Sequence, residues 1–325
     1  MRSAALSLLL AAPSAAAAPF GNPAIGGQAY GVLLLATDGG GAWKTELGAI
    51  RAQLQGVAVE SVEFSGDGLS VQRALDRLRG QHVAKVVAVP MEPVSEAASM
   101  DQIRYLFGIR EEPSQDRPER AGSSLPALKP DAKRVMVLPP SRASKRLKSD
   151  VALVLTATID KSPVLADILA ERAQAQARRP QNEAVVLVGL APRSDKSLPA
   201  WKAAAGAIAE SVRVKGGFRE AGVIWVRDGV RAGQQDKDRE EAKALLRRLT
   251  TQGSVVAVPL AADGRRVGRL LQREIGSGGY RWNGKGLIGD KRFADWIRAT
   301  SIAASKFPDV RRYRDDASRA AGGFR

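Results

Sequence analysis

Gly31-Val32-Leu33-Leu34-Leu35-Ala36 is a continuous apolar run that ends in Thr37-Asp38-Gly39-Gly40. A strand buried on both faces reads this way, because neither face alternates with polar residues, and a Gly-rich turn follows it in parallel sheets. Working outward, residues 42–55 carry Leu47, Ile50 and Leu54 at helical spacing. Val57 to Phe64 alternates as a strand, Leu69 to Arg79 is a helix with Val71, Leu75 and Leu78 inward, and Val83 to Val89 is a strand closed by Pro90. Strand–helix–strand–helix–strand order predicts a parallel sheet with helices on both faces.

The same grammar returns after residue 180. Ala184 to Val188 is a strand followed by Gly189-Leu190-Ala191-Pro192, and Leu198 to Val212 is a helix. Gly222 to Val226 is a strand, Glu240 to Leu249 a helix, and Ser254 to Val258 a strand closed by Pro259. Val86-Val87-Ala88-Val89-Pro90 is copied as Val255-Val256-Ala257-Val258-Pro259 at the same grammatical position, which predicts an internal duplication. The fold class expected is α/β, with two similar flavodoxin-like lobes, each a parallel sheet flanked by helices. The expected organisation is a signal peptide over 1–17, an N-terminal lobe over 28–109 and a linker rich in Pro, Glu, Ser and Arg over 110–133. A C-terminal lobe over 134–300 and a basic tail over 301–325 follow. Val135 to Leu138 and Val151 to Thr156 are further strand candidates.

Composition narrows the function. The 325 residues contain no cysteine, which excludes disulfide scaffolds, thiolate metal sites and a thiol nucleophile. One histidine, His82, excludes any site that needs two imidazoles, and its place at a helix end suits a C-terminal cap. Fifty Lys and Arg against 34 Asp and Glu give a net charge of +16, which favours anionic partners. No nucleic-acid motif is present, and 5% aromatics leave little for a base-stacking platform. Arg2, the apolar Leu6 to Ala12 and the small residues Ala15 to Ala18 read as an export signal, placing the protein in a periplasm or outside the cell. No later run is long enough for a transmembrane segment. Gly279 to Gly286 has the spacing of a phosphate-binding loop up to Lys285, but the following Ser/Thr is missing.

Ligands of open α/β sheets sit at the carboxyl ends of the strands. Here those positions are residues 36–40, 90–99, 189–192 and 259–266. In order and pattern they resemble the class II tetrapyrrole chelatases, which include sirohydrochlorin cobaltochelatase and ferrochelatase. Tyr105-Leu106-Phe107-Gly108, Ser162 to Leu169 and Tyr280 to Trp296 extend the resemblance over roughly residues 31–300. It implies insertion of Co2+ or Fe2+ into an anionic tetrapyrrole, as in cobalamin biosynthesis. The family's histidines align with Asp38 (or Thr37), Glu96, Leu190-Ala191, Ser162 and Asp290, so only carboxylate ligands remain. Asp38 and Glu96 are therefore the candidate catalytic and metal-holding residues. Oxygen ligands shift preference towards harder ions than imidazole does. Arg104, Arg193, Arg265 and Arg266, with Lys44, are the candidates for holding an anionic tetrapyrrole or other anionic small molecule. Tyr280 and Trp282 are candidates to stack on a macrocycle. The alternative is a non-catalytic exported protein that binds a metal or a tetrapyrrole.

Overall fold

The computed structural model describes residues 29–36, 41–64, 66–114, 145–227, 230 and 232–313. Asp38, Thr37, residues 1–17, the strand candidate 135–138 and most of the expected linker lie outside them; of Lys44 only the backbone is described. The first run of elements is β1 Tyr30–Ala36, α1 Gly41–Gln53, β2 Ala58–Glu63, α2 Gly68–Arg79, β3 Lys85–Pro90, α3 Ala98–Leu106, β4 Ala152–Leu155 and α4 Pro163–Gln174. The second is β5 Ala184–Leu190, α5 Leu198–Gly216, β6 Glu220–Val226, α6 Ala232–Thr250, β7 Val255–Leu260, α7 Gly264–Ile275, β8 Arg281–Trp282 and α8 Lys291–Ala304.

All the strand pairs are parallel, in two four-stranded sheets ordered β2-β1-β3-β4 and β6-β5-β7-β8. The orders are the same once the numbering is shifted by four, so the two lobes share one topology. Leu33 lies opposite Ala88 in the first sheet and Val186 opposite Ala257 in the second, which puts the copied strings in the same register. The chain is an α/β protein of two similar lobes.

Alternation along β1 explains its unbroken apolar run. Val32, Leu34 and Ala36 enter one core, and Leu33 and Leu35 enter another on the opposite face with α2 and α3. In β5, Val185 and Leu187 join the first of these cores, while Ala184, Val186 and Val188 face α6 and α7. One core is thus shared by both sheets. Its helical layer is α1, α4, α5 and α8.

The helices in that layer are exchanged. α4 follows the last strand of the first sheet but packs on α5 and β7 of the second lobe. α8 follows the last strand of the second sheet but packs on α1 and β3 of the first. Trp201 and Phe293, both about 1% exposed or less, fill the layer between the sheets. Gly189 is needed where Trp201 crosses β5, because a Cβ there would fall 2.8 Å from Trp201 Cζ2.

Two expected boundaries change. The first sheet takes β4, which the division at residue 134 assigned to the second lobe. The expected tail begins inside α8, and its described part is tied down. Lys85 Nζ donates to the carbonyls of Ser305 (2.6 Å) and Phe307 (2.8 Å). Arg311 donates to the carbonyls of Ser149 (2.6 Å) and Val151 (3.0 Å), beside the edge strand β4.

Because one core is shared, the lobes are expected to unfold together. Phe293→Ala should lower stability by about 3–5 kcal/mol and leave a single urea transition by circular dichroism. Two separated transitions in the unsubstituted protein would show that the lobes are independent.

Candidate functional site

α4 and α8 both leave their own sheet just past the carboxyl ends of β4 and β8 and cross to the other lobe. The strand ends that hold ligands in such sheets therefore lie on the side where the chain crosses. Polar side chains gather at three places there.

The first is the pair of loops after β3 and β4. Ser95 donates its hydroxyl (2.6 Å) and its amide (3.1 Å) to Asp160 Oδ2, and the Thr158 hydroxyl donates to Asp160 Oδ1 at 2.5 Å. The Asp160 carboxylate is 5% exposed and is engaged by these donors. Glu96, by contrast, is exposed, and its Oε1 lies 3.4 Å from Ser95 Oγ, too long to compete for the hydroxyl proton. Arg104 donates to the Ser95 carbonyl (3.2 Å) and to Asp101 (3.2 Å), so it braces this loop. Ser99 donates to Glu92 Oε1 at 2.6 Å.

The second lies at the end of β6. Arg227 is buried, with a side chain 2% exposed. Its Nε and NH2 donate to the two oxygens of Asp238 (2.6 and 2.7 Å), and its NH1 donates to Asp195 (2.6 Å) and to the Arg193 carbonyl (3.2 Å). Burial alone would lower the Arg227 pKa, but the hydrogen bonds and charges of Asp238 and Asp195 outweigh it and raise it. The loop that carries Arg193 is thereby fixed to α6. Trp225 Nε1 also donates to Asp238 (3.1 Å), and Lys202 Nζ sits 3.6 Å from the Trp225 ring centre.

The third is a cap motif, Asp-x-Arg. Asp263 accepts from the Arg265 amide (3.0 Å) at the start of α7, and the Arg265 guanidinium folds back onto the same carboxylate (2.7 Å). Asp290 and Arg292 repeat this at the start of α8, and Asp309 and Arg311 repeat the motif away from these strand ends, in a turn beside the amino end of β4. Arg292 and its charge hold the Asp290 carboxyl below the usual range, against its burial. For Asp263 and Asp309, burial acts upward but the paired arginine outweighs it, and both are lowered. Between α7 and α8, Gly286 lies so near the loop after β7 that a Cβ would meet the Ala262 carbonyl oxygen at 2.3 Å.

Against the sequence expectations, Glu96 stands exposed at the carboxyl end of β3, and its expected partner Asp38 lies outside the described residues. The carboxylate that converges with Glu96 on Ser95 Oγ is Asp160, which the sequence reading passed over. Arg265 is engaged by Asp263, and Arg266 is half-buried on α7. Ser162 and Asp290, two of the positions aligned with family histidines, are the N-caps of α4 and α8. Tyr280 and Trp282 pack on the outer core of the second lobe, where Tyr280 donates to the Gly276 carbonyl, so the expected stacking platform does not form from them. His82 is exposed in the turn after α2, with a left-handed φ of 59°. Among the described residues no group of three or more His, Asp or Glu side chains is placed to hold a metal ion, and no helix is long and apolar enough to cross a membrane.

No family model matches the chain, and no curated protein matches it. Among solved structures it is similar to SirB from Bacillus subtilis, solved with Fe3+, at 13% identity and a TM-score of 0.47, over 86% of this chain and 99% of that one. It is also similar to DR2241 from Deinococcus radiodurans, described as multi-domain with structural similarity to chelatases, at 15% identity and a TM-score of 0.45, over 85% and 55% of the two chains. A periplasmic ribose ABC transporter protein from Conexibacter woesei aligns at 12% identity with a TM-score of 0.33, over 92% and 89%.

Two outcomes follow from these contacts. Arg227→Met leaves Asp238 buried and uncompensated, so urea denaturation should show a loss of about 3–5 kcal/mol. Asp290→Asn keeps a capping oxygen and removes the charge. A carboxylate lowered by folding contributes stability above its unfolded value and loses it as pH falls through the folded value. The variant should therefore be less stable than the parent at pH 7, with the gap closing as pH drops below about 4. A gap that stays constant with pH would refute the pairing.

Proposed function

We propose that this chain is a chelatase-like protein that takes an anionic tetrapyrrole and a divalent metal ion, Co2+ or Fe2+, as its substrates between the two lobes. The observation that carries the reading is the duplicated sheet with exchanged helices: it turns the strand-end loops of both lobes, where the sequence resembles the class II chelatases, to the side where the chain crosses. The net charge of +16 supports it, because a polycarboxylate macrocycle is drawn to a cationic surface.

Insertion replaces two pyrrole N–H protons by the metal, so a base must accept protons at the macrocycle face. Glu96 is the described carboxylate suited to this, since it is exposed and makes no short hydrogen bond. Asp160 is held by Ser95 and Thr158 and serves to fix the loop that presents Glu96. Asp38 joins the proposal from its place in the sequence. Arg193, its loop fixed through Arg227, is the described cation best placed to meet a carboxylate of the substrate. The protein is proposed to act in a periplasm or outside the cell.

A second reading, binding without turnover, is favoured by Ser162 and Asp290. At both positions the side chain caps a helix.

Incubation of the purified chain with sirohydrochlorin and Co2+ separates the two. Catalysed insertion should change the visible spectrum faster than the uncatalysed control, and Glu96→Gln should slow it by about 10²-fold or more. A spectral shift on binding without turnover supports the second reading. Absence of binding to both metal and tetrapyrrole refutes both.

A further inference from the structure

An open cleft of about 420 Å3 lies between the start of α6 and the end of α7, lined by Val230, Gln235, Arg239, Arg273 and Glu274. It is on the outer face of the second lobe and has no part in the reading above. Its floor is the Glu274 carboxylate, whose side chain is 8% exposed. Oε1 accepts from Gln235 Nε2 (2.8 Å) and Arg273 Nε (2.7 Å), and Oε2 accepts from Arg239 NH2 (3.0 Å). Burial pushes the Glu274 carboxyl up, but Arg273 and Arg239 outweigh it and hold it below its usual value, so it stays charged.

Glu274 fixes both guanidinium groups without using up their donors. Arg239 gives its remaining terminal nitrogen to the exposed Asp236 (2.8 Å). Arg273 gives only Nε; neither of its terminal nitrogens bonds a protein group among the described residues, and its side chain is 55% exposed. Neighbours one residue apart on a helix do not normally face each other, so the turn of Arg273 back to Glu274 is a held orientation. Among the described residues, those lining the cleft carry two positive charges and one negative. A guanidinium with its outer edge open and its orientation fixed matches two oxygens of one carboxylate or phosphate group.

We propose that this cleft is a binding site for a small oxyanion, a carboxylate or phosphate group, gripped by the outer edge of Arg273 and flanked by Arg239 and Gln235.

Calorimetric titration of the full chain with inorganic phosphate, and separately with acetate, tests this and identifies which oxyanion is preferred. Saturable binding to one site is expected with at least one of them. Arg273→Gln should weaken it tenfold or more, and Arg273→Lys, which keeps the charge but loses the fork, should weaken it less. Arg247→Gln, a cation of α6 outside the cleft, should leave it unchanged. Circular dichroism on each variant confirms that the fold is intact, and Arg273→Lys carries the test if Arg273→Gln does not fold. Saturable binding by neither anion, or equal weakening by Arg247→Gln, overturns the proposal.

Discussion

The packing of α4 and α8 against each other's sheets is the constraint on which the rest of the molecule depends. A parallel sheet must cover both faces, and in this protein each lobe borrows one of its covering helices from the other. Leu165, Ile168 and Leu169 of α4 and Phe293 and Ile297 of α8 belong to one buried cluster that also takes Val32, Leu34, Val185 and Leu187 from the two central strands. Separating the lobes would expose that cluster, at roughly 25 cal/mol per Å2 of apolar surface. The exchange also fixes where the chain passes between the lobes: both crossings start just past the carboxyl ends of the last strands, β4 and β8.

Much of this was legible in the chain. β1, β3 and β7 declared themselves because strands buried on both faces have no polar positions, and the identical strings at 86–90 and 255–259 do sit in equivalent registers. β4 was harder. It is four residues long and stands well beyond β3 in the chain, so its assignment to the first sheet rests on pairing with β3, which no local pattern encodes. α7 and α8 hid behind their arginines. Their starts are marked by Asp263-Gly264-Arg265 and Asp290-Lys291-Arg292, a repeated cap signal that could have been found by looking for an aspartate two residues before an arginine.

The candidate site was legible only in part, and the reason is charge. In a chain of 50 lysines and arginines, Arg227 looks like any other, yet it is buried and clamps the loop of Arg193 to α6. Asp160 is likewise one carboxylate among 34, and what sets it apart is the convergence of Ser95 and Thr158 across two loops. Glu96 could be named from the sequence because it aligns with a family histidine in the segment that follows the Val-Pro end of β3. It is open to solvent, and the neighbouring Ser95 hydroxyl goes to Asp160 instead.

The anchoring of residues 305–313 has a consequence for the order of assembly. Among the described residues, Lys85 and the carbonyls of Ser149 and Val151 beside β4 take partners from the segment that follows α8. A ribosome adding about 5–20 residues per second delivers those partners last. Until they arrive, the earlier-made sheet has one face covered only in part, by α1, and one bare margin, so the first lobe must wait, unfinished and adhesive, until α8 and the segment after it have followed it out.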